Sequence, residues 1–537
     1  MTAEAAGSIP RLAAAFGRSS SWRRAVAALG LGLLAAGAMP PFTIVPLLAA
    51  SLTGLAWLLD GTASRRRAFL DGWLWAMGFF VPSLHWIAIS LFVDIGQFWW
   101  MVPFAVLGLP AYLACYAGAA AAATVATTRA GTLRRLTALA AWFVVGEWLR
   151  GHWLTGFPWL LAGYAWSADS SVALAVAQLA SVIGAYGLSF VTVALAVLPA
   201  RLGHDGPRWT RVLPVGLGAL AWLGLFVWGV NRLQPGHGDP LVPGLKVRIV
   251  STDLPHRAEW DPAAAAADFQ SVLRLAGRPG LDGVKISVWP EGIVDAPLNR
   301  DATARQAVAR VAPPGGMVLA GTLRATGDGA GLKVWNSVMA VDGAGIVQGD
   351  YDKHHLVPFG EYVPFHEFLS FSQIAAERLD FSVGPGPETV TLPGLPAVAP
   401  VICYEAIFPG EIAGADRPGW ILNVTDDGWF GRSIGPAQHF AIARLRAIEE
   451  GLPLVRAANG GISGVVDPHG RLVAGYAVGE TGPLDVALPM PLPERTLYGQ
   501  WKNSSLVFII ILTILGSMPA GNYWKLLGRT FQRRTEI

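Results

Sequence analysis

The chain has 537 residues, of which 53% are hydrophobic and only 14% are charged. Soluble domains usually carry about 25% charged residues, so this composition excludes an ordinary soluble enzyme and indicates an integral membrane protein. The net charge of +3 comes largely from arginines beside apolar runs, so it reports membrane topology and not nucleic-acid binding.

Apolar stretches dominate the first 235 residues and recur once near the C-terminus. They cover roughly residues 25–39, 42–59, 68–90, 99–126, 136–149, 172–200 and 212–230, followed by 503–520. Several approach or exceed the ~20 residues that a helix needs to cross ~30 Å of hydrocarbon. We therefore predict about eight transmembrane helices, seven N-terminal and one C-terminal.

Arginine placement predicts the direction of each crossing, because cytoplasmic loops carry an excess of Lys and Arg. Basic clusters occupy alternate connections, at Arg11–Arg24, Arg65–Arg67, Arg129–Arg135 and Arg201–Arg211. The connections between them hold almost no Lys or Arg. After seven crossings from a cytoplasmic start, the chain emerges on the opposite side near Asn231, and the eighth helix returns it. Both termini are expected in the cytoplasm, and the region between the seventh and eighth helices outside it.

Between residues 236 and 500 the long apolar runs give way to short strand-like runs separated by Gly and Pro. The strand-like runs include Leu245–Val250, Val284–Trp289, Met317–Thr322, Ala397–Cys403 and Trp420–Val424, and the helical stretches include Pro262–Ala276 and Pro436–Glu450. This alternation predicts an α/β domain with a largely buried sheet. The predicted organisation is a transmembrane domain (1–235), an extracytoplasmic α/β domain (236–500), and a C-terminal transmembrane helix with a basic cytoplasmic tail (501–537).

Three reactive side chains of the α/β domain stand at predicted strand ends or in turns. Glu291 follows a strand that stops at Pro290, and Cys403 ends another strand. Lys353 lies between them in a segment dense in charge, aromatic residues and helix breakers, Tyr351–Tyr362. Because ligands of α/β sheets collect at the carboxyl ends of the strands, we expect these side chains to meet there.

A thiol, a carboxylate and an ammonium group together suit acyl chemistry. A free thiol has a pKa of ~8.5 and reacts as the thiolate, so it needs a neighbouring base or cation. We predict Cys403 as the nucleophile, Glu291 as the general base, and Lys353 as the group that stabilises the thiolate and the oxyanion. No cofactor is needed, and the His and Cys spacing predicts no metal site. The second cysteine, Cys115, lies in an apolar helical run and is expected to be inert.

The segments around these residues resemble a known family. The Glu, Lys and Cys segments are similar to those of the nitrilase (carbon-nitrogen hydrolase) superfamily, whose domain is an αββα sandwich. The chain resembles more closely the apolipoprotein N-acyltransferases, bacterial inner-membrane enzymes that complete lipoprotein maturation. The resemblance extends over nearly the whole chain and rests on Gly156–Trp159, Trp260–Pro262, Lys353–Val363, Leu422–Gly431, Arg444–Ala447 and Gly461–Ser463.

The resemblance implies roles for further residues. It assigns a supporting role in the site to Trp260, Glu361, Tyr404 and Glu405. Trp429, by contrast, is expected to pack in the pocket or at the membrane interface. The chain departs from the family pattern at Ser251–Pro255 and at Asn459–Gly461, and both departures concern fine contacts with substrate.

The reaction that the resemblance implies is a ping-pong transacylation between two lipids. Cys403 attacks an ester of a membrane phospholipid, typically the sn-1 chain of phosphatidylethanolamine. The α-amino group of a diacylglyceryl-cysteine at the end of an apolipoprotein then attacks the thioester. The apolar segment Phe365–Phe371 is expected to form a lid. The implied location is the bacterial inner membrane with a periplasmic catalytic domain, and a monomer that binds no nucleic acid is expected.

Two other functions remain open from the residues alone. A membrane-tethered amidase or nitrilase would use the same three residues to hydrolyse a carbon-nitrogen bond, although one anchoring helix would suffice for it. A non-enzymatic lipid-binding or transport scaffold would leave those residues idle. Against the scaffold, the apolar stretches lack the scattered charges that mark solute pathways through a membrane.

Overall fold

The structure is a computed structural model that describes residues 3–233, 239–257, 261–363, 380–504, 510 and 513. Trp260, the proposed lid Phe365–Phe371 and nearly all of the C-terminal apolar stretch lie outside the described residues. The chain forms two compact units. One contains Met1–His85 and Trp100–Arg232 together with the C-terminal residues from Trp501, and the other contains Trp86–Trp99 and Leu233–Gln500.

The first unit is helical, because its sequence consists of long apolar runs with few breakers. Its helices are α1 (Ala3–Gly17), α2 (Ser21–Ala36), α3 (Val45–Asp60), α4 (Arg65–Leu84), α6 (Leu109–Thr127), α7 (Leu133–His152), α8 (Ser171–Ala177), α9 (Ala180–Val197) and α10 (Arg208–Leu233). The short helix α5 (Ile95–Phe98) belongs to the second unit. Four helical segments of the described chain are long and apolar enough to cross a membrane: Arg65–Met101, Phe104–Thr127, Ala180–Gly203 and Arg208–Leu233. These helices indicate a membrane protein.

The predicted apolar stretches at 68–90 and 172–200 are not single regular helices. The stretch at 68–90 contains Pro82 and leaves α-helical geometry after Leu84, where a 3₁₀ segment, His85–Asp94, begins. The stretch at 172–200 is divided into α8 and α9, and Gly184 inside α9 has a φ of 68°. Hydropathy detects both stretches, but it does not register such breaks because the breaking residues are themselves apolar or small.

The second unit contains two β-sheets and the helices that cover them. Its strands are β1 (Leu241–Ser251), β2 (Val284–Val288), β3 (Val294–Pro297), β4 (Met317–Thr326), β5 (Lys333–Asp342), β6 (Val347–Asp352), β7 (Val398–Ile402), β8 (Trp420–Asp426), β9 (Leu454–Asn459), β10 (Ser463–Val466), β11 (Leu472–Tyr476) and β12 (Gly482–Pro489). Its helices are α11 (Pro262–Ala276), α12 (Ala302–Ala309), α13 (Gly435–Glu450) and α14 (Leu497–Trp501). The first sheet has the order β12-β1-β2-β4-β5-β6 with β3 beside β4, and the second has the order β11-β10-β9-β8-β7.

The layers of this unit follow from the burial of the strands on both faces. Residues of both sheets, among them Val247, Ile286, Leu422 and Val455, share one buried apolar cluster, so the sheets pack face to face. Helices α11 and α12 cover the outer face of the first sheet, and α13 covers that of the second. The α/β prediction is therefore confirmed, and the layer order is αββα.

Candidate active site

Parallel strands bring the candidate residues to one edge of this sandwich. Strands β1, β2 and β4 are parallel, as are β7, β8 and β9. Glu291 lies just beyond the carboxyl end of β2, and Cys403 directly follows β7. Gly321 of β4 permits the close approach of the Glu291 segment, since a Cβ at this position would lie 2.1 Å from the Pro290 carbonyl oxygen.

Lys353 stands between two carboxylates. Its Nζ donates to Glu291 Oε1 at 3.1 Å and to Glu361 Oε1 at 3.0 Å, and its side chain is only 1% exposed. Burial alone would lower the pKa of Lys353, but the two carboxylates outweigh burial and raise it well above 10.5. The lysine is therefore a fixed buried cation at neutral pH.

Cys403 occupies a strained turn at the end of its strand. Its φ is +49°, a left-handed conformation that residues other than glycine rarely adopt. Burial, and then the charge of Glu291, raise the pKa of the thiol well above 9.0, whereas Lys353 and a hydrogen bond with Thr425 oppose this shift. The resting thiol is therefore protonated, and its proton must be removed during attack.

Asn336 bridges the two carboxylates, although nothing in its local sequence singles it out. Its Nδ2 donates to Glu291 Oε1 and to Glu361 Oε1, both at 2.8 Å. The second oxygen of Glu291 accepts from the Asp426 N–H at 2.8 Å, and that of Glu361 accepts from the Val357 N–H at 2.7 Å. Each carboxylate is thus held at both of its oxygens.

Glu405 links the Cys403 turn to the Lys353 segment. Its buried carboxylate accepts from the Ile402 N–H at 2.7 Å, on one side, and from the His354 N–H at 2.7 Å, on the other. The Tyr351 hydroxyl lies 3.0 Å from both oxygens. Burial alone would raise the pKa of Glu405, but hydrogen bonding and charge from His354 outweigh it and lower the pKa. Glu405 is therefore an ionised carboxylate that connects two backbone segments of the site. These contacts suit a supporting residue.

The two remaining predicted residues within the described part of the chain, Tyr404 and Trp429, pack against aromatic rings. Tyr404 is buried and packs edge-on against His355 and Phe408, with ring centroids 5.6 and 5.2 Å away. Trp429 is 40% exposed and stacks on His256 at 3.9 Å. The described site residues thus form three groups. Glu291, Lys353 and Glu361 make a buried charged cluster, Glu405 connects two backbone segments, and Tyr404 and Trp429 pack against aromatic rings.

Sequence reasoning missed Asn336, Thr425 and Asp427. Thr425 and Asp427 follow the predicted strand at 420–424, and polar residues at a strand end were the available signal. Asn336 lies inside β5, where nothing in its local pattern distinguishes it from a surface polar residue.

The arrangement can activate a thiol and stabilise an oxyanion. Two of the three N–H groups of Lys353 are taken by carboxylates among the described residues, which leaves the third for a substrate oxygen or the thiolate. Glu291 accepts from this cation, and its charge helps to raise the pKa of the Cys403 thiol, so it is the candidate general base. These groups can support covalent catalysis by the thiol.

Comparison with known proteins gives consistent matches over most of the chain. The model of the apolipoprotein N-acyltransferase N-terminal domain matches residues 31–198, and the carbon-nitrogen hydrolase model matches residues 254–495. The chain is 40% identical over 542 residues to an apolipoprotein N-acyltransferase of Rhodopseudomonas palustris, covering 96% of this chain and 99% of that protein. It is also 40% identical over 514 residues to the enzyme of that name from Bradyrhizobium diazoefficiens, covering 92% and 94%. The apolipoprotein N-acyltransferase of Agrobacterium fabrum is 37% identical over 528 residues, covering 95% of this chain and 98% of that protein.

Proposed function

Since the chain belongs to the apolipoprotein N-acyltransferase family, we propose that this acyltransferase moves an acyl chain from a membrane phospholipid to an apolipoprotein through a thioester on Cys403. The donor is a phospholipid such as phosphatidylethanolamine. The acceptor is the α-amino group of the N-terminal diacylglyceryl-cysteine of an apolipoprotein.

In the first half-reaction the thiol attacks the ester carbonyl of the phospholipid. The Cys403 proton passes to Glu291 as the sulfur–carbon bond forms. Lys353 stabilises the oxyanion of the tetrahedral intermediate. The ester carbon–oxygen bond then breaks, and the lysophospholipid leaves with the proton returned by Glu291. The product is a neutral thioester beside an unprotonated Glu291.

In the second half-reaction the lipoprotein amine attacks the thioester carbonyl. Glu291 takes a proton from the amine, the carbon–sulfur bond breaks, and the proton is delivered to the departing thiolate. The amide product leaves a neutral thiol, so one carboxylate serves both half-reactions and no further co-reactant is required.

One observation carries this assignment: the buried Lys353 ammonium joins Glu291 and Glu361 next to a thiol held in a left-handed turn. Burial of a lysine and two carboxylates in an apolar sandwich is costly, and such clusters are typical of functional sites. A scaffold would not need it. An amidase would, but family membership favours acyl transfer.

The proposal includes the arrangement in the membrane. About eight transmembrane helices, seven before residue 235 and one after residue 500, carry residues 236–500 on the periplasmic side of the bacterial inner membrane. Both termini are cytoplasmic. The alternation of basic clusters along the first 211 residues supports this topology. We also propose that the protein acts as a monomer.

The test is intact-mass spectrometry of the detergent-purified protein after incubation with phosphatidylethanolamine. We expect a mass increase of one acyl chain that hydroxylamine removes, because hydroxylamine cleaves thioesters. Addition of a diacylglyceryl-cysteine peptide should discharge the adduct and yield an N-acylated peptide.

The chain offers a matched control, since its only other cysteine, Cys115, is exposed on α6. Cys115→Ala should form the adduct at the wild-type rate, whereas Cys403→Ala should form none. An adduct that survives in Cys403→Ala, or a folded wild-type protein that never acquires one, would reject the thioester route. Discharge by water at the rate seen with the peptide would favour the amidase.

A further inference from the structure

A buried polar chain behind Cys403 is not used by the reaction steps above. It consists of Arg456 on β9, Asp427 in the turn after β8, and His439 on α13, all with essentially no exposed side-chain surface. Arg456 Nη2 donates to Asp427 Oδ2 at 2.6 Å. Asp427 Oδ1 lies 2.7 Å from His439 Nδ1, and His439 Nε2 lies 3.1 Å from the carbonyl oxygen of Cys403. The chain therefore ends on the backbone of the proposed nucleophile.

The partners of His439 define its protons. Nδ1 lies 2.7 Å from a carboxylate oxygen of Asp427 and 3.2 Å from Arg456 Nη2, whereas Nε2 faces the carbonyl oxygen of Cys403. A carbonyl oxygen can only accept, so Nε2 is the donor in the contact with Cys403, while Asp427 and Arg456 hold the ring at Nδ1.

The contact with Cys403 fixes the orientation of one peptide plane. The peptide bond between Cys403 and Tyr404 is trans, so its carbonyl and its N–H point in opposite directions. With the carbonyl oxygen directed at His439, the Tyr404 N–H points away from that histidine. A donor on the carbonyl also polarises the amide, which makes the N–H of the same peptide a better donor.

We propose that His439 is a positioning residue that holds the Cys403–Tyr404 peptide so that the Tyr404 N–H, together with Lys353, receives the oxyanion formed on the substrate. Asp427 and Arg456 orient the imidazole ring. This inference rests on the proposed function, because it requires Cys403 to form the tetrahedral intermediate. It also explains how a strained left-handed turn at Cys403 is maintained.

Two substitutions separate the contacts of His439. The amide nitrogen of Asn can take the place of Nδ1 and that of Gln the place of Nε2, so His439→Asn loses the donor to Cys403 while His439→Gln retains it. Both are neutral and remove the ring. We would measure single-turnover acylation by phosphatidylethanolamine in the Cys115→Ala background, where Cys403 is the only thiol. The rate should fall about tenfold or more in His439→Asn and stay within about threefold in His439→Gln, as expected for loss of one buried hydrogen bond to the reacting centre.

Alkylation of Cys403 by iodoacetamide supplies a readout that forms no oxyanion. Its rate should remain within about threefold of the parent protein in both variants, because alkylation needs the thiol but not the Tyr404 N–H. Phe440→Leu, which alters packing on the same helix, should lower the melting temperature and leave acylation unchanged. Equal acylation in the two His439 variants, or losses that follow alkylation rate and melting temperature, would overturn the proposal.

A further variant and the parent protein complete the test. Should neither His439 variant fold, Arg456→Lys keeps the buried charge but weakens the orientation of Asp427. It should slow acylation several-fold with alkylation unchanged, and an unchanged acylation rate in the folded protein overturns the inference. Failure of the parent protein to acquire an acyl chain would reject the proposed function itself, and this inference with it. An acylating parent with indistinguishable variants would reject only the role of His439.

Discussion

Removal of the Asn336 side chain is the sharpest test of how the charged cluster is held. The Nδ2 of this asparagine donates to both Glu291 and Glu361 at 2.8 Å, and its Oδ1 accepts no hydrogen bond among the described residues. The reverse orientation of the amide would place an oxygen against two carboxylates, so the donor role is imposed by charge. In Asn336→Ala, Lys353 becomes the only side chain that bridges the two acids.

The size of the effect follows from the two lost contacts. A hydrogen bond to a charged group contributes about 1.5–3 kcal/mol, and only the part that places Glu291 for proton transfer affects the rate. A loss of about 1.4–2.8 kcal/mol of transition-state stabilisation corresponds to a fall of about 10- to 100-fold in kcat/KM. The assay is transfer from phosphatidylethanolamine to a diacylglyceryl-cysteine peptide in mixed micelles, with the melting temperature measured in parallel.

Asn299 provides the matched control. This asparagine also makes two hydrogen bonds, to the Ala325 carbonyl at 2.7 Å and from the Ala325 N–H at 3.1 Å, but it touches none of the charged residues of the site. Asn299→Ala should reduce stability with kcat/KM unchanged. An Asn336→Ala enzyme within about twofold of wild type, or an equal loss of kcat/KM in both variants, would refute the reasoning.

Three further expectations concern pH and stability. Because burial and Glu291 raise the pKa of the Cys403 thiol above 9.0, its alkylation rate in the Cys115→Ala protein should still be rising with pH at 9, and a plateau below 9 would contradict this assignment. Glu405→Gln should lower the free energy of unfolding by about 3 kcal/mol and abolish acylation, because an amide N–H then faces backbone donors. Chemical denaturation measures the loss of stability, and intact-mass spectrometry measures the loss of acylation. Burial alone would raise the pKa of Asp427, but Arg456 and then His439 outweigh it and lower the pKa from 3.8 to about 2. Asp427 therefore stays ionised in the native state at pH values where the unfolded chain already binds a proton. About 2 kcal/mol of stability should be lost as the pH falls from about 5 to 2. A denaturation series in which Asp427→Asn loses stability with falling pH as steeply as wild type would disprove this expectation.

The sequence predicted the parts of the fold that depend on local pattern. The strand-like runs at 245–250, 284–289, 317–322, 397–403 and 420–424 correspond to β1, β2, β4, β7 and β8, and the predicted helices at 262–276 and 436–450 to α11 and α13. Strand β9 was not predicted, because Leu454–Asn459 contains Arg456, whose charge resembles a surface position. Only the structure reveals that Asp427 and Asn423 accept from this buried arginine.

The site also contains residues that the local sequence predicts and residues that only the tertiary structure reveals. Reactive residues at strand ends identified Glu291, Lys353 and Cys403 as candidates, because chemistry restricts which side chains can act there. Asn336 and His439 contact residues distant in sequence, at separations of 45 and 36 positions from Glu291 and Cys403. No local pattern encodes such a contact. Trp260 and the lid segment, which lie outside the described residues, stay predictions.

The charge of the cluster explains why the nucleophile and the base must operate together. Glu291 and Glu361 carry two negative charges and Lys353 one positive charge, so the buried cluster has a net charge of −1 beside a neutral thiol. Ionising Cys403 into solvent would create a net charge of −2 in a buried space, which desolvation strongly disfavours. Transferring the proton to Glu291 leaves the total at −1, because one carboxylate is neutralised as the thiolate appears. The thiol therefore becomes nucleophilic only when its proton moves within the cluster, and it remains protonated and weakly reactive between turnovers. This property suits an unpaired cysteine that is proposed to face an oxidising compartment, since oxidation and alkylation both require the thiolate.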